Sequence, residues 1–193
     1  MMPDDDYPHP LGLHVTENRE REAKASFAAP AGSAFPPVVD VCCGSRAFWF
    51  DKQDGRTLFL DKRRCVLPRT HSDTPRAPVV VEPDMQCDFT NLPLPSDTFS
   101  LVVFDPPHIV NSSANGNVAK YYGVLHGDWR DELRKGFAEC FRVLKPNGTL
   151  IFKWNECSIP VREILALTPE KPLFGHKTGK LSKTHWVAFL KTI

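Results

Sequence analysis

The sequence has almost no excess charge: 24 basic residues against 23 acidic ones leave a formal net charge of +1. A chain coated in cations for binding polyanions is thereby excluded, and any contact with phosphate must come from a local patch. No apolar stretch approaches the ~20 residues that span a bilayer, so no membrane segment is expected. The opening Met1-Met2-Pro3-Asp4-Asp5-Asp6 lacks the basic flank and apolar run of a signal peptide. Six cysteines are present, yet no Cys-x-x-Cys pair. Neither a zinc site nor a redox motif is therefore expected, and adjacent Cys42 and Cys43 read as small buried thiols in a reducing cytoplasm. There is no internal repeat.

What is present is a change of pattern near Pro36. Residues 1–35 are polar, rich in Pro and Ala, and charged around Glu17 to Lys24; they read as a flexible arm with one short helix at Glu17–Ala28. Most of the 18 prolines cluster in that arm, between Leu67 and Pro83, and around Leu92 to Pro107, where they punctuate loops. From residue 36 to residue 193 short apolar runs alternate with turns, as one domain. Val38–Val41, Thr57–Leu60, Val79–Val81 and Phe99–Phe104 have the length and the β-branched and aromatic content of strands buried in a parallel sheet. Trp129, Leu133, Phe137, Phe141 and Leu144 recur at helical spacing, with Asp128 placed to cap the helix and Lys145-Pro146-Asn147-Gly148 to end it. A fifth strand is expected at Thr149–Trp154, a short helix at Pro160–Leu167, and a last strand at His185–Leu190. Alternation of this kind predicts a doubly wound α/β sheet.

Ligands of such sheets sit at the carboxyl ends of the strands. Those ends hold Asp40 to Gly44, Asp61, Asp84 to Phe89, Asp105 to His108, and Lys153 to Glu156, and four of the five groups supply an aspartate. Any single Asp there is equally well a turn residue bonding to loop amides; the repetition along one edge points to a site. Asp61 follows Asp40 by 21 residues, close to the ~20-residue spacing at which Rossmann-type folds place a ribose-binding acid.

From Pro36 to Ile193 the sequence resembles the class I S-adenosylmethionine-dependent methyltransferases. Val38-Val39-Asp40-Val41-Cys42-Cys43-Gly44-Ser45 looks like that family's first motif, and the resemblance implies a loop holding the methionine part of S-adenosylmethionine through Asp40, Cys42 and Gly44. Ser45-Arg46 stands where many relatives have a second glycine. Cys87-Asp88-Phe89 is similar to the motif that contacts adenine; Phe89 is either the ring's packing partner or a core residue. Asp105-Pro106-Pro107-His108 resembles the Asp-Pro-Pro-aromatic turn of amino-methyltransferases acting on N6 of adenine in DNA or RNA. An aromatic amine is a poor nucleophile, and a carboxylate with a proline-fixed carbonyl can accept both amino hydrogens, leaving its lone pair facing the methyl sulfonium. Asp105 and Pro106 take those roles, Pro107 borders the substrate, and His108 replaces the usual stacking aromatic.

The resemblance implies a Rossmann-like, mostly parallel, seven-stranded sheet with an antiparallel last strand. It also implies transfer to an exocyclic amino group of nucleic acid with no metal. Trp154 either lines the substrate pocket or is core, with Lys153 reaching along it to solvent. Residues His108 to Gly127 form a long connection that reads as a lid. Lys171 to His185 carries Lys177, Lys180 and Lys183 without an acid, and is either a phosphate-tracking strip or a solvated hairpin. Two other readings share these residues: methylation of a protein amide or small molecule, and an idle binding module suggested by Ser45 and His108.

Overall fold

The computed structural model describes residues 35–68, 77–110, 117–179 and 182–192. The expected arm, apart from Phe35, lies outside the described residues, and so does its helix at Glu17–Ala28. Nine strands and three helices are described: β1 Val38–Asp40, β2 Thr57–Asp61, β3 Cys65–Leu67, β4 Val79–Val81, β5 Met85–Gln86, β6 Phe99–Phe104, α1 Asn117–Tyr122, α2 Trp129–Val143, β7 Leu144–Asn155, α3 Val161–Leu165, β8 Phe174–Lys177 and β9 Thr184–Leu190.

Seven strands form one sheet in the order β5-β2-β1-β6-β7-β9-β8. β1 pairs in parallel with β2 and β6, and β7 continues in parallel beyond β6. β9 runs antiparallel to both neighbours, β7 and β8. This is the expected Rossmann-like α/β sheet, mostly parallel, with an antiparallel last strand. The strand order reverses between β1 and β6, which makes their carboxyl ends the crevice where such a sheet takes a ligand.

The long helix forms as its periodicity dictates. Asp128 caps it by accepting from the Asp131 N–H at 3.1 Å, while Asp131 and Glu132 lie in the positive first turn. Its apolar face packs Phe137 against Phe104, Phe152 and Phe189, with ring centroids 5.4, 5.0 and 6.2 Å apart. Midway along, Gly136 lets the helix approach the sheet: a Cβ there would lie 2.7 Å from both Phe104 and Phe89.

Three expectations need correction. Val79–Val81 is a strand but not a member of the main sheet; it pairs antiparallel with Cys65–Leu67 in a separate two-stranded ribbon. The third position on that side belongs to β5, two residues long, which also means that Asp84 precedes its strand. The connection before the last strand itself contains β8, an edge strand exposed at all four residues. Finally, the regular alternation of strand and helix does not hold. Among the described residues no helix lies between β1 and β2 or between β2 and β5. The sheet face opposite α2 is covered near those strands by the turns of residues 44–56. There Trp49 stands edge-on to Phe59 at 5.0 Å, and Phe48 edge-on to Trp186 at 5.4 Å.

Candidate active site

The carboxyl ends of β1, β2, β5, β6 and β7 converge as the sequence pattern implies, and each acid there is engaged. Asp40, fully buried, accepts the Cys42 N–H at 3.1 Å through Oδ1 and the Trp49 indole N–H at 2.8 Å through Oδ2. Burial pushes its carboxyl up to about 7, against the pull of those two hydrogen bonds. Asp40 therefore shapes the loop after β1 from beneath. Asp61, one strand over, accepts the Gly44 N–H at 2.9 Å through Oδ2 and the Arg63 N–H at 2.8 Å through Oδ1. Asp88 accepts from the Thr90 amide and hydroxyl and pairs with Lys62 at 2.7 Å.

Gly44 adopts φ +50°, and a Cβ built on it would meet no atom within 4 Å. The residue is thus demanded by conformation, and its bare side opens onto a cavity. Arg46 shows how the departure from a second glycine is accommodated. It takes φ 54°, a left-handed conformation that a side chain ordinarily resists. Its guanidinium is anchored 3.9 Å from the centre of the Phe59 ring and 2.9 Å from Asp84 Oδ1. Further bonds to the carbonyls of Lys52 and Glu82 complete the anchor.

Two adjoining cavities occupy the crevice. One, of about 240 Å³, is bounded by Asp61, Lys62, Asp88, Phe89, Pro107 and Glu132, among others. The second, of about 350 Å³, is bounded by Cys43, Gly44, Phe48, Val79, Tyr121 and Lys153 among others. Cys42, Arg63, Asp105 and Tyr122 border both. Phe89 contributes one edge to the first cavity but is only 8% exposed, its ring 5.4 Å from Phe104; core packing and cavity wall are the same residue here.

At the junction stands Asp105; of the turn that follows it, Pro107 borders the first cavity, whereas the buried Pro106 and the half-buried His108 border neither. Burial pushes the Asp105 carboxyl above the usual carboxylate range, while the Lys153 ammonium, 2.5 Å from Oδ2, pulls it back. His108 lies with its ring 5.8 Å from Tyr122 and 6.4 Å from Trp154. Burial, reinforced by the Lys153 charge, pushes it below its ordinary value and keeps it neutral near pH 7. Pro107 is capped by the turn at Gly123, where a Cβ would meet the proline ring at 3.1 Å. The lid expected over His108 to Gly127 is described only in part. Val110 and Leu125 bridge its two ends, and α1 lies between them, while residues 111–116 fall outside the described residues. Arg63 ties α1 to the site by donating to the carbonyls of Lys120 and Tyr121, both at 3.3 Å.

Other expected residues are placed differently. Trp154 is fully buried, its indole N–H bonded to the Ile159 carbonyl at 2.9 Å, so it supports His108 from the core and lends no face to a cavity. Lys153 does not reach past it to solvent but turns onto Asp105. Lys177 is paired with Glu156 at 3.0 Å, Lys183 is exposed, and Lys180 lies outside the described residues. Arg63 was missed because nothing local distinguishes it; its partners in α1 are 57 and 58 positions away. Cys42 and Cys43 do not present thiolates, since burial pushes both thiols up, that of Cys43 to about 12.

No family model matches the sequence, and neither does any curated protein. Several solved structures are distantly similar. A protein from Pyrococcus horikoshii OT3 is 15% identical, with 80% of this chain and 81% of that one covered and a TM-score of 0.49. The S-adenosylmethionine-dependent methyltransferase from Mesorhizobium loti is 12% identical, with 82% and 92% covered and a TM-score of 0.45. The [4+2]-cyclase SpnF is 10% identical, with 92% and 82% covered and a TM-score of 0.47. At such distances the chemistry of this chain rests on its own residues.

Proposed function

We propose that this chain is an S-adenosylmethionine-dependent methyltransferase acting on an exocyclic amino nitrogen of nucleic acid, with adenine the first candidate. The observation that carries the reading is the position of Asp105 and its Pro-Pro turn. Asp105 sits at the point where strand order reverses, on the border shared by two cavities, and Pro107 borders one of them. The residues fit the cofactor. Gly44 offers open space at a positive φ, and acids stand at the ends of β2 and β5 where a ribose and an adenine amino group would need acceptors. Gly44 and Cys42 would hold the methionine part, Asp61 the ribose, and Asp88 with Phe89 the adenine.

When bound, the cofactor supplies an electrophilic methyl group on a sulfonium. The rest falls to the chain. Asp105 and the Pro106 carbonyl accept the two hydrogens of the target amine, which turns its lone pair toward the methyl group. His108, neutral and backed by Trp154, offers a flat surface for the base, and Pro107 borders it. As the nitrogen gains the methyl group it sheds a proton, for which Asp105 is the nearest base. Neither a cysteine nucleophile nor a covalent intermediate is needed.

A second reading, a protein amide or small-molecule acceptor, is favoured by one observation: the Lys177–Glu156 pair removes a cation from the strip proposed to track phosphates. Labelled-methyl transfer to total DNA and total RNA, followed by nucleoside mass spectrometry, decides between them. A methylated adenine is the expected product. Label in neither nucleic acid would overturn the nucleic-acid reading.

A further inference from the structure

The ion pair at the reacting centre was not implied by the Asp-Pro-Pro turn. Lys153 and Asp105 lie 48 positions apart in sequence, and the sheet joins them. β6 and β7 are in register through Phe104 and Phe152, so the next residue of each strand points out of the same face, one step past the last pair. In β7 the neighbours Phe152 and Trp154 point into the core, which leaves Lys153 on the opposite side. There its ammonium sits 2.5 Å from Asp105 Oδ2, with the rings of Phe48 and Trp186 at 5.2 and 5.7 Å. Both partners are largely shielded, at 26% and 20% side-chain exposure.

We infer that Lys153 is a positioning residue for methyl transfer: it holds Asp105 as a hydrogen-bond acceptor, engages one of its oxygens, and leaves the other for the target amine. The inference rests on the function proposed above. Its physical basis is that a shielded carboxylate without a counter-charge takes up a proton and becomes a donor, which would repel an N–H. The other ionisable groups around Asp105 do not replace the lysine. Asp40 at the end of β1 and the thiol of Cys42 add no positive charge, Arg63 across the cavity is committed to Asp61 at 3.2 Å, and His108 in the same turn is kept neutral. The same ammonium disfavours a proton on His108, so one cation serves both halves of the turn.

The test is a carbon-13 titration of the Asp105 carboxyl, with Asp105→Asn for assignment, in the unmodified protein, Lys153→Met and Lys153→Arg. Loss of the cation should move the Asp105 midpoint upward by about one to three units, and the arginine should restore it. Mere disruption of the site would move it the other way, toward the ordinary carboxylate value, so a midpoint that stays or falls in Lys153→Met overturns the inference. Lys153→Gln gives the same reading if the methionine variant does not fold. In parallel, the acid limb of the methyl-transfer pH profile should rise with the midpoint, and a limb that stays put in an active variant also overturns it. An unmodified protein that transfers no methyl group would refute the proposed function alone, because the carboxyl titration still decides the role of Lys153.

Discussion

Asp40 makes the stability of this protein depend on pH in a direction opposite to that of most paired carboxylates. Its carboxyl lies beneath the loop after β1, inaccessible to solvent, and burial raises it from 3.8 to about 7. Between those values the unfolded chain has released its proton while the folded chain keeps it. Folding therefore takes up a proton, and stability falls as pH rises, levelling off above about 7. Each pH unit in that window costs about 1.4 kcal/mol, so the step from pH 5 to pH 8 removes about 3 kcal/mol. Asp40→Asn cannot ionise. It also loses an acceptor, because the carboxyl serves Cys42 and Trp49 with separate oxygens and an amide has only one. That loss costs about 1–3 kcal/mol at every pH. Urea unfolding of both proteins at pH 5, 6, 7 and 8 separates the two effects. The variant should be the less stable at pH 5 and should gain about 3 kcal/mol relative to the unmodified protein by pH 8. A difference between the two that is constant over this range would refute the reasoning.

Other substitutions test the site piece by piece. Asp105→Ala should leave cofactor affinity nearly unchanged while slowing methyl transfer by ~100-fold or more in single-turnover assays. His108→Tyr should stay active whereas His108→Ala should not, and an active alanine variant would end the stacking role. Gly136→Ala places a methyl group 2.7 Å from Phe89 and Phe104, so thermal unfolding should report a loss of about 1–3 kcal/mol. Replacing Lys177, Lys180 and Lys183 together by Gln should flatten the salt dependence of nucleic-acid binding. The expected change is about 2 units of log–log slope if each meets a phosphate part of the time, and an unchanged slope returns the strip to a solvated hairpin.

Much of the fold could be read from the chain because its information is local. The runs at Thr57–Asp61 and Phe99–Phe104 are apolar nearly throughout, and the face of α2 repeats at helical spacing. Residues that carried no such signal were misread. β5 is two residues long, and β8 is exposed along its length, so neither leaves an apolar pattern. Val79–Val81 has the composition of a sheet strand, and only its distant partner Cys65–Leu67 takes it elsewhere. At the site, the strand-end acids were visible as a series, but not their engagement. That Asp61 holds the Gly44 amide, that Arg46 sits in a glycine-like conformation against Phe59, and that Lys153 reaches Asp105 all depend on contacts across the sheet edge. Trp154 illustrates the limit most simply: alternation along β7 sends it to the core, and nothing in the run Lys153-Trp154-Asn155 shows which of the alternating faces is which.

The crevice between β1 and β6 is the proposed site for S-adenosylmethionine. Calorimetric titration with its demethylated product, S-adenosylhomocysteine, tests it without any need for a nucleic-acid substrate. The unmodified protein should bind one equivalent. Asp61→Ala, checked for folding by circular dichroism, should bind more weakly by about 1–3 kcal/mol through lost charge-assisted hydrogen bonds. No binding by the folded, unmodified protein would contradict the account at its root.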